Sequence, residues 1–87
     1  MYQVLVGKQA VKQALRMPEQ IQKRLANLVE DLRRDGPVLP KWPNYSRLSP
    51  NKYHCHLSHR WVACWYHEKG TVRIEVYYAG SREDAPY

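Results

Sequence analysis

An α+β fold is what this 87-residue sequence predicts: an N-terminal strand, a two-helix hairpin, then a three-stranded antiparallel meander, with the helices on one sheet face. Three features predict it. Apolar residues recur at helical spacing in one long segment that ends at Gly36-Pro37. Apolar and β-branched residues fill three short segments after Lys52. The connections between those segments are too short for crossovers, so neighbouring strands must run antiparallel. A chain of 87 residues can bury one two-layer core, so residues 1–87 are expected to form one domain.

The elements follow in order. Tyr2 to Val6 is short, aromatic and β-branched, as a first strand should be, and Gly7 ends it. Lys8 to Arg16 reads as a helix with Val11, Ala14 and Leu15 on one stripe. Pro18 breaks that pattern and suits the first turn of a second helix, where Glu19 complements the positive end of the dipole. Ile21, Leu25, Leu28, Val29 and Leu32 form its core stripe, and Gly36-Pro37 stops it at Asp35. Val38 to Pro50 contains Pro40, Pro43 and Pro50 and reads as a loop. Tyr53 to Ser58 alternates, with Tyr53, Cys55 and Leu57 on one face and His54 and His56 on the other. Trp61 to Tyr66 is a further strand, apolar on both faces, so its parity stays open. After a turn at His67 to Gly70, Thr71 to Ala79 makes the last strand. Val72, Ile74, Val76 and Tyr78 are expected to face in, and Arg73, Glu75 and Tyr77 out. Gly80 to Tyr87 is a short tail. With helices over one sheet face, the other is left for a ligand.

Composition narrows the function. The 44% apolar and 25% charged content is that of a globular fold, no apolar run approaches a membrane span, and the start of the chain has no signal-peptide core. A cytoplasmic protein with no membrane association is therefore expected. Two cysteines, Cys55 and Cys64, cannot make a disulfide scaffold and read as small buried residues. Fourteen Lys and Arg against eight Asp and Glu give a net charge of +6, which suggests an anionic partner. From Gly36 to His67 there is no Asp or Glu, while Lys41, Arg47, Lys52, Arg60 and all four histidines fall there, interleaved with Trp42, Tyr45, Tyr53, Trp61, Trp65 and Tyr66. Cations supply phosphate affinity and aromatic faces supply base stacking, so RNA is favoured over a merely solvated basic face.

His54 and His56 are the leading candidates for chemistry. Two imidazoles on one open strand face can accept and donate protons near neutral pH. RNA cleavage by 2′-hydroxyl attack needs such a pair, together with cations that offset charge on the phosphorane. Arg60, Arg82 and Arg73 are candidates for that task. A solvent-facing histidine pair without a task would show the same spacing. A zinc site drawn from His54, His56, His59, His67 and a cysteine is the weaker reading, because Cys55 faces away from its flanking histidines and no paired-ligand spacing is present. Trp42 and Leu48 either contribute to a contact surface or pin the loop to the core. Tyr87 either frays or folds back onto the sheet to stack on a base or move a proton, and Tyr45, Tyr53 and Tyr78 read as packing residues with a polar tip.

The order of elements, with WPNYSRL (Trp42 to Leu48), the KYHCHL strand (Lys52 to Leu57), Arg60 and EVYYAGSREDAPY from Glu75 to Tyr87, resembles the RelE/ParE toxin superfamily over essentially the whole chain. The resemblance implies a ribosome-dependent mRNA endonuclease of a type II toxin–antitoxin pair. Such members cut without metal or other cofactor and leave a 2′,3′-cyclic phosphate and a 5′-hydroxyl. Carried over by position, His54 and His56 take the places of the basic strand pair, which are lysines in RelE itself. Arg60 and Arg82 become the phosphate-holding arginines, and Tyr87 the tyrosine that stacks on or orients the nucleotide or assists as a base. Lys41, Trp42, Arg47, Lys52 and Arg73 are expected to bind RNA. The implied partners are a cognate antitoxin protein, with an acidic segment that folds on binding, and the ribosome with its mRNA. The alternatives are a ParE-like gyrase inhibitor on the same fold, which the histidine-bearing basic face disfavours, and a non-catalytic RNA-binding module.

Overall fold

In the computed structural model, which describes residues 1–87, the chain runs β1 (Gln3–Val6), α1 (Lys8–Ala14), α2 (Glu19–Asp35), β2 (Ser46–Ser49), β3 (Lys52–His56), β4 (Trp61–His67) and β5 (Arg73–Ser81). The strands form one sheet in the order β1-β5-β4-β3-β2. β1 lies parallel to β5, and the other pairs are antiparallel. Both helices and β2 to β4 lie between β1 and β5, a connection long enough for the two strands to run parallel.

Helix α2 packs its apolar stripe onto the sheet. Leu25, Leu28 and Leu32 are buried, with Ile21 and Val29 packed at the margin. They meet Tyr53, Cys55, Leu57, Ala63, Trp65, Ile74, Val76 and Ala79 from one face of the sheet. Trp65 is fully buried at the centre, near-parallel to Tyr53 at 6.0 Å, and its indole N–H donates to the Pro37 carbonyl at 3.0 Å. That bond gives a buried polar group its partner. The helix ends at Gly36, whose φ of 90° belongs to the left-handed region and whose N–H donates to Leu32 O at 2.9 Å. A side chain there would also run into the Tyr2 ring, 2.8 Å from the Cβ position.

Several sequence expectations change. Helix α1 buries Ala10 and Ala14, with Met17 beyond it, whereas Val11 and Leu15 are exposed. Small residues, not branched ones, let this short helix lie close to the sheet. The loop expected over 38–50 ends in a fifth strand: Ser46 to Ser49 pairs along β3. The last strand starts at Arg73 and leaves Val72 exposed. It also carries an irregularity, since Cys64 pairs with Tyr78 but Trp65 with Val76. The extra residue, Tyr77, shifts the alternation. Tyr78 therefore does not share the helix-side core with Val76. It packs with Val62 and Cys64 in a small cluster on the opposite face, and Ala79 faces the helices instead. Parity in β4 is likewise fixed: Ala63 and Trp65 pack toward the helices, and Val62 and Cys64 away.

Candidate active site

The sheet face away from the helices carries the histidines, as the alternation in β3 requires. Ladder register then fixes their neighbours, because directly opposed residues project on the same side. Ser46, His54, Cys64 and Tyr78 form one row across β2, β3, β4 and β5, and His56, Val62 and Gly80 form the next. The His54 and His56 rings lie 6.0 Å apart between centroids.

Beyond Ser81 the tail turns back. The Tyr78 hydroxyl donates to Ser81 O at 2.7 Å, the Ala85 N–H donates to Arg82 O at 3.3 Å, and the Ser81 hydroxyl donates to Asp84 Oδ2 at 3.1 Å. Gly80 permits this, since the Tyr78 ring lies over it and its hydroxyl oxygen is 3.0 Å from the Cβ position. Ala85 packs against the cluster of Val62, Cys64 and Tyr78. Tyr87 thereby reaches His54, with ring centroids 4.4 Å apart. The fold-back anticipated for this tyrosine is the arrangement found.

His54 is 8% exposed and His56 is half-buried. Burial lowers the pKa of His54, the neighbouring His56 lowers it further, and a hydrogen bond to the Ser46 backbone acts in the opposite sense. Burial also lowers the pKa of His56, and the positive charge of Arg82 and the nearby His59 add to the effect. Both imidazoles are thus kept neutral at neutral pH and able to accept protons. The hydroxyls around them are held protonated by burial: Tyr87 and Tyr78 are raised, and Tyr77 is pushed up to about 12. The Cys64 thiol is likewise raised to about 12, chiefly by burial, so it packs beside His54 as an uncharged group.

Arg60 and Arg82 both sit at the end of the sheet, and only Arg82 acts on the histidine site. Arg82 N–H donates to Arg60 O at 2.7 Å, which continues the β4–β5 ladder one row past Val62 and Gly80. Arg82 is exposed and close enough to act on both His56 and Tyr87. The Arg60 side chain is exposed and lines a cleft with Pro18, Glu19 and His59. Lys52 shares the histidine face, with its ammonium 5.6 Å from the Tyr77 ring centroid.

The remaining expected RNA contacts are placed elsewhere. Trp42 is turned to α2, where its indole N–H donates to Asp31 Oδ2 at 2.8 Å and the Arg24 guanidinium lies 5.0 Å from its ring centroid. Of the two readings for Trp42, the structure takes the pinning one. Lys41 lines a cleft with Arg24, Asp31 and Arg34 on the helical side. Arg47 pairs with Tyr53, not with a histidine, so register turns it to the helix-side face, where it lies 5.6 Å from the Tyr53 ring. Arg73 shares the open face but sits opposite Gln3 at its far end. Six residues of β4 and its extension separate the Val62 row from Arg73, about 20 Å at the rise of a strand. Sequence reasoning also missed Ser46, whose hydroxyl is 2.9 Å from His54 Nδ1. Its signal was a cross-strand pairing that becomes visible only once β2 is recognised.

No family model matches the chain, and no curated protein does. Solved structures do. The RelE–RelB complex from Pyrococcus horikoshii OT3 matches with a TM-score of 0.76 at 18% identity, over 97% of this chain and 98% of that one. The isolated RelE toxin of E. coli matches at 0.75 and 15% identity, over 99% and 89% of the two chains. The chain has the RelE toxin fold. A YafQ variant from E. coli shares it at a TM-score of 0.73 and 13% identity, over 95% of this chain and 96% of that one. Identities this low carry the RelE fold across and leave chemistry to be argued from the side chains, of which His54, His56, Arg82 and Tyr87 are the convergent set.

Proposed function

We propose that this chain is a toxin that cleaves mRNA on the ribosome by attack of a ribose 2′-hydroxyl on the adjacent phosphorus. The observation that carries the reading is the convergence of two imidazoles, an arginine and a returned tyrosine on the sheet face away from the helices. His54, the more buried of the pair, takes the 2′-hydroxyl proton. The 2′-oxygen bonds to phosphorus, and the bond from phosphorus to the 5′-oxygen breaks. His56, protonated from solvent once substrate is bound, supplies the proton that the departing oxygen takes up and returns to its neutral form. Burial is the main cause of the lowered pKa of His56 and the charge of Arg82 adds to it; a phosphate bound at Arg82 offsets that second contribution and favours the protonated acid. Arg82 offsets the negative charge of the phosphorane, and Arg60, whose side chain lines a cleft with Pro18 and Glu19, is assigned no part in that step. Tyr87 orients the nucleotide from its position over His54, and Lys52 contacts the RNA backbone on the same face. Trp42, Lys41, Arg47 and Arg73 are assigned no contact with the scissile nucleotide. The products are a 2′,3′-cyclic phosphate and a 5′-hydroxyl. His54 ends the step protonated and His56 neutral, and proton exchange with solvent restores the pair.

The open face is small, and a ribosome that presents the codon would supply the alignment that so short a chain cannot build for itself. The restraining partner is a cognate antitoxin with an acidic segment, which suits a chain of net charge +6. Two of the solved structures of this fold are complexes, RelE with RelB and the Staphylococcus aureus YoeB with YefM.

Induced expression with primer extension on cellular mRNA tests the reading. Wild type should arrest growth and leave codon-phased cuts, and the His54→Ala/His56→Ala protein should be folded and inert. Cutting by the double variant overturns the assignment of the histidines. DNA damage without mRNA cuts points to a gyrase poison on the same fold, and RNA binding without cuts to a passive module.

A further inference from the structure

His54 is held by the sheet on one side of its ring. Ser46 stands directly across the β2–β3 ladder from it, and Ser46 Oγ lies 2.9 Å from Nδ1. No polar side-chain atom of His54 is buried without a partner, and Nε2 has none within the chain, so Nε2 opens to solvent on the face shared with His56 and Tyr87. The neighbouring positions in its row are Cys64 on β4 and, beyond it, Tyr78 on β5, and Arg82 acts on the adjacent His56. A neutral imidazole has one N–H and one lone pair, and whichever nitrogen carries the proton decides whether the exposed side gives or takes one.

We propose that Ser46 is a positioning residue that fixes the tautomer of His54: Oγ accepts the Nδ1 proton, and Nε2 presents its lone pair to the open face. The catalytic consequence rests on the nuclease reading above; the tautomer does not. Three features support the direction. Nδ1 faces the edge strand while Nε2 faces the space a substrate must occupy. The Ser46 backbone acts on the ring in the sense that favours its protonated form, the sense of a carbonyl acceptor. The bond also persists through the reaction, since imidazolium formed at Nε2 keeps its Nδ1–H on Oγ. The opposite arrangement, with the hydroxyl donating to Nδ1, would have to break and reverse on every proton transfer.

The experiment is long-range proton–nitrogen correlation on histidine-labelled full-length protein above pH 7, paired with cleavage of ribosome-bound mRNA. Wild type should show His54 as the Nδ1–H tautomer. Ser46→Ala should give a mixture or the Nε2–H form, and Ser46→Thr should restore the wild-type pattern. Cleavage should fall about tenfold in Ser46→Ala and recover in Ser46→Thr. The acid limb of the pH profile should move to lower pH in Ser46→Ala, because the imidazolium has lost an acceptor. A wild-type His54 protonated on Nε2, or nitrogen shifts indifferent to Ser46→Ala, overturns the proposal even if mRNA is cut. If the tautomer follows Ser46 as expected but wild type cuts no mRNA, the positioning stands and the nuclease reading is what fails.

Discussion

Replacing Trp42 by phenylalanine should destabilise the fold by about 2 kcal/mol and leave mRNA cleavage unchanged. The magnitude follows from two contacts. The indole N–H donates to a carboxylate, Asp31 Oδ2, at 2.8 Å. A hydrogen bond to a charged acceptor contributes about 1.5–3 kcal/mol. The low end applies, because the Asp31 side chain is 30% exposed and also accepts from Arg34. The Arg24 guanidinium at 5.0 Å from the ring adds roughly 0.5 kcal/mol that a phenyl ring only partly retains. In a domain of this size a loss of that order lowers the melting temperature by roughly 10 °C. Thermal melts followed by circular dichroism read the stability, and cleavage of ribosome-bound mRNA at a temperature where the variant is folded reads the function. An unchanged melt with lost cleavage would refute the reasoning and return Trp42 to the RNA-contacting surface.

Other consequences are as direct. Both site imidazoles have depressed pKa values in the folded chain, so the unfolded chain takes up protons first as the pH falls. Stability should be complete above about pH 6.5, the ordinary histidine value, and decline below it. Melting temperature against pH should slope more steeply in wild type than in His54→Gln/His56→Gln, and parallel slopes would contradict the shifts. Tyr78→Phe removes the hydroxyl that holds Ser81 O, at a loss of about 1 kcal/mol, and should speed proteolysis after residue 81 without opening the sheet. Gly36→Ala combines a left-handed backbone with a clash against Tyr2 and should lower the melting temperature by several degrees, roughly 1–2 kcal/mol.

What the sequence disclosed depended on how local each signal was. Helix α2 was legible because its stripe spans five apolar residues and Gly36-Pro37 marks its end. The histidine face was legible because alternation in a strand needs no partner to be read. β2 was not, because three prolines dominate the segment and its four residues, Ser46 to Ser49, of which Leu48 has no partner on β3, carry no strand pattern of their own. Only β3 beside them makes them a strand, and Ser46 was lost with it. The stripe of α1 was misjudged because Val11 outranks Ala10 in apolarity, while close approach to the sheet selects the smaller residue. Tyr78 was turned the wrong way by one extra residue in β5, a feature that strict alternation cannot register. The basic residues of the middle segment share a stretch of sequence but not a surface. Lys52 joins the histidines, whereas Arg47 and Lys41 face the helical side.

The chemistry of the cut ends tests the central claim most directly. mRNA fragments recovered from ribosomes treated with the purified protein should carry a 2′,3′-cyclic phosphate upstream and a 5′-hydroxyl downstream, in phase with codons, and none should form with His54→Ala/His56→Ala. Fragments ending in a 3′-hydroxyl and a 5′-phosphate, or intact messenger, would contradict it.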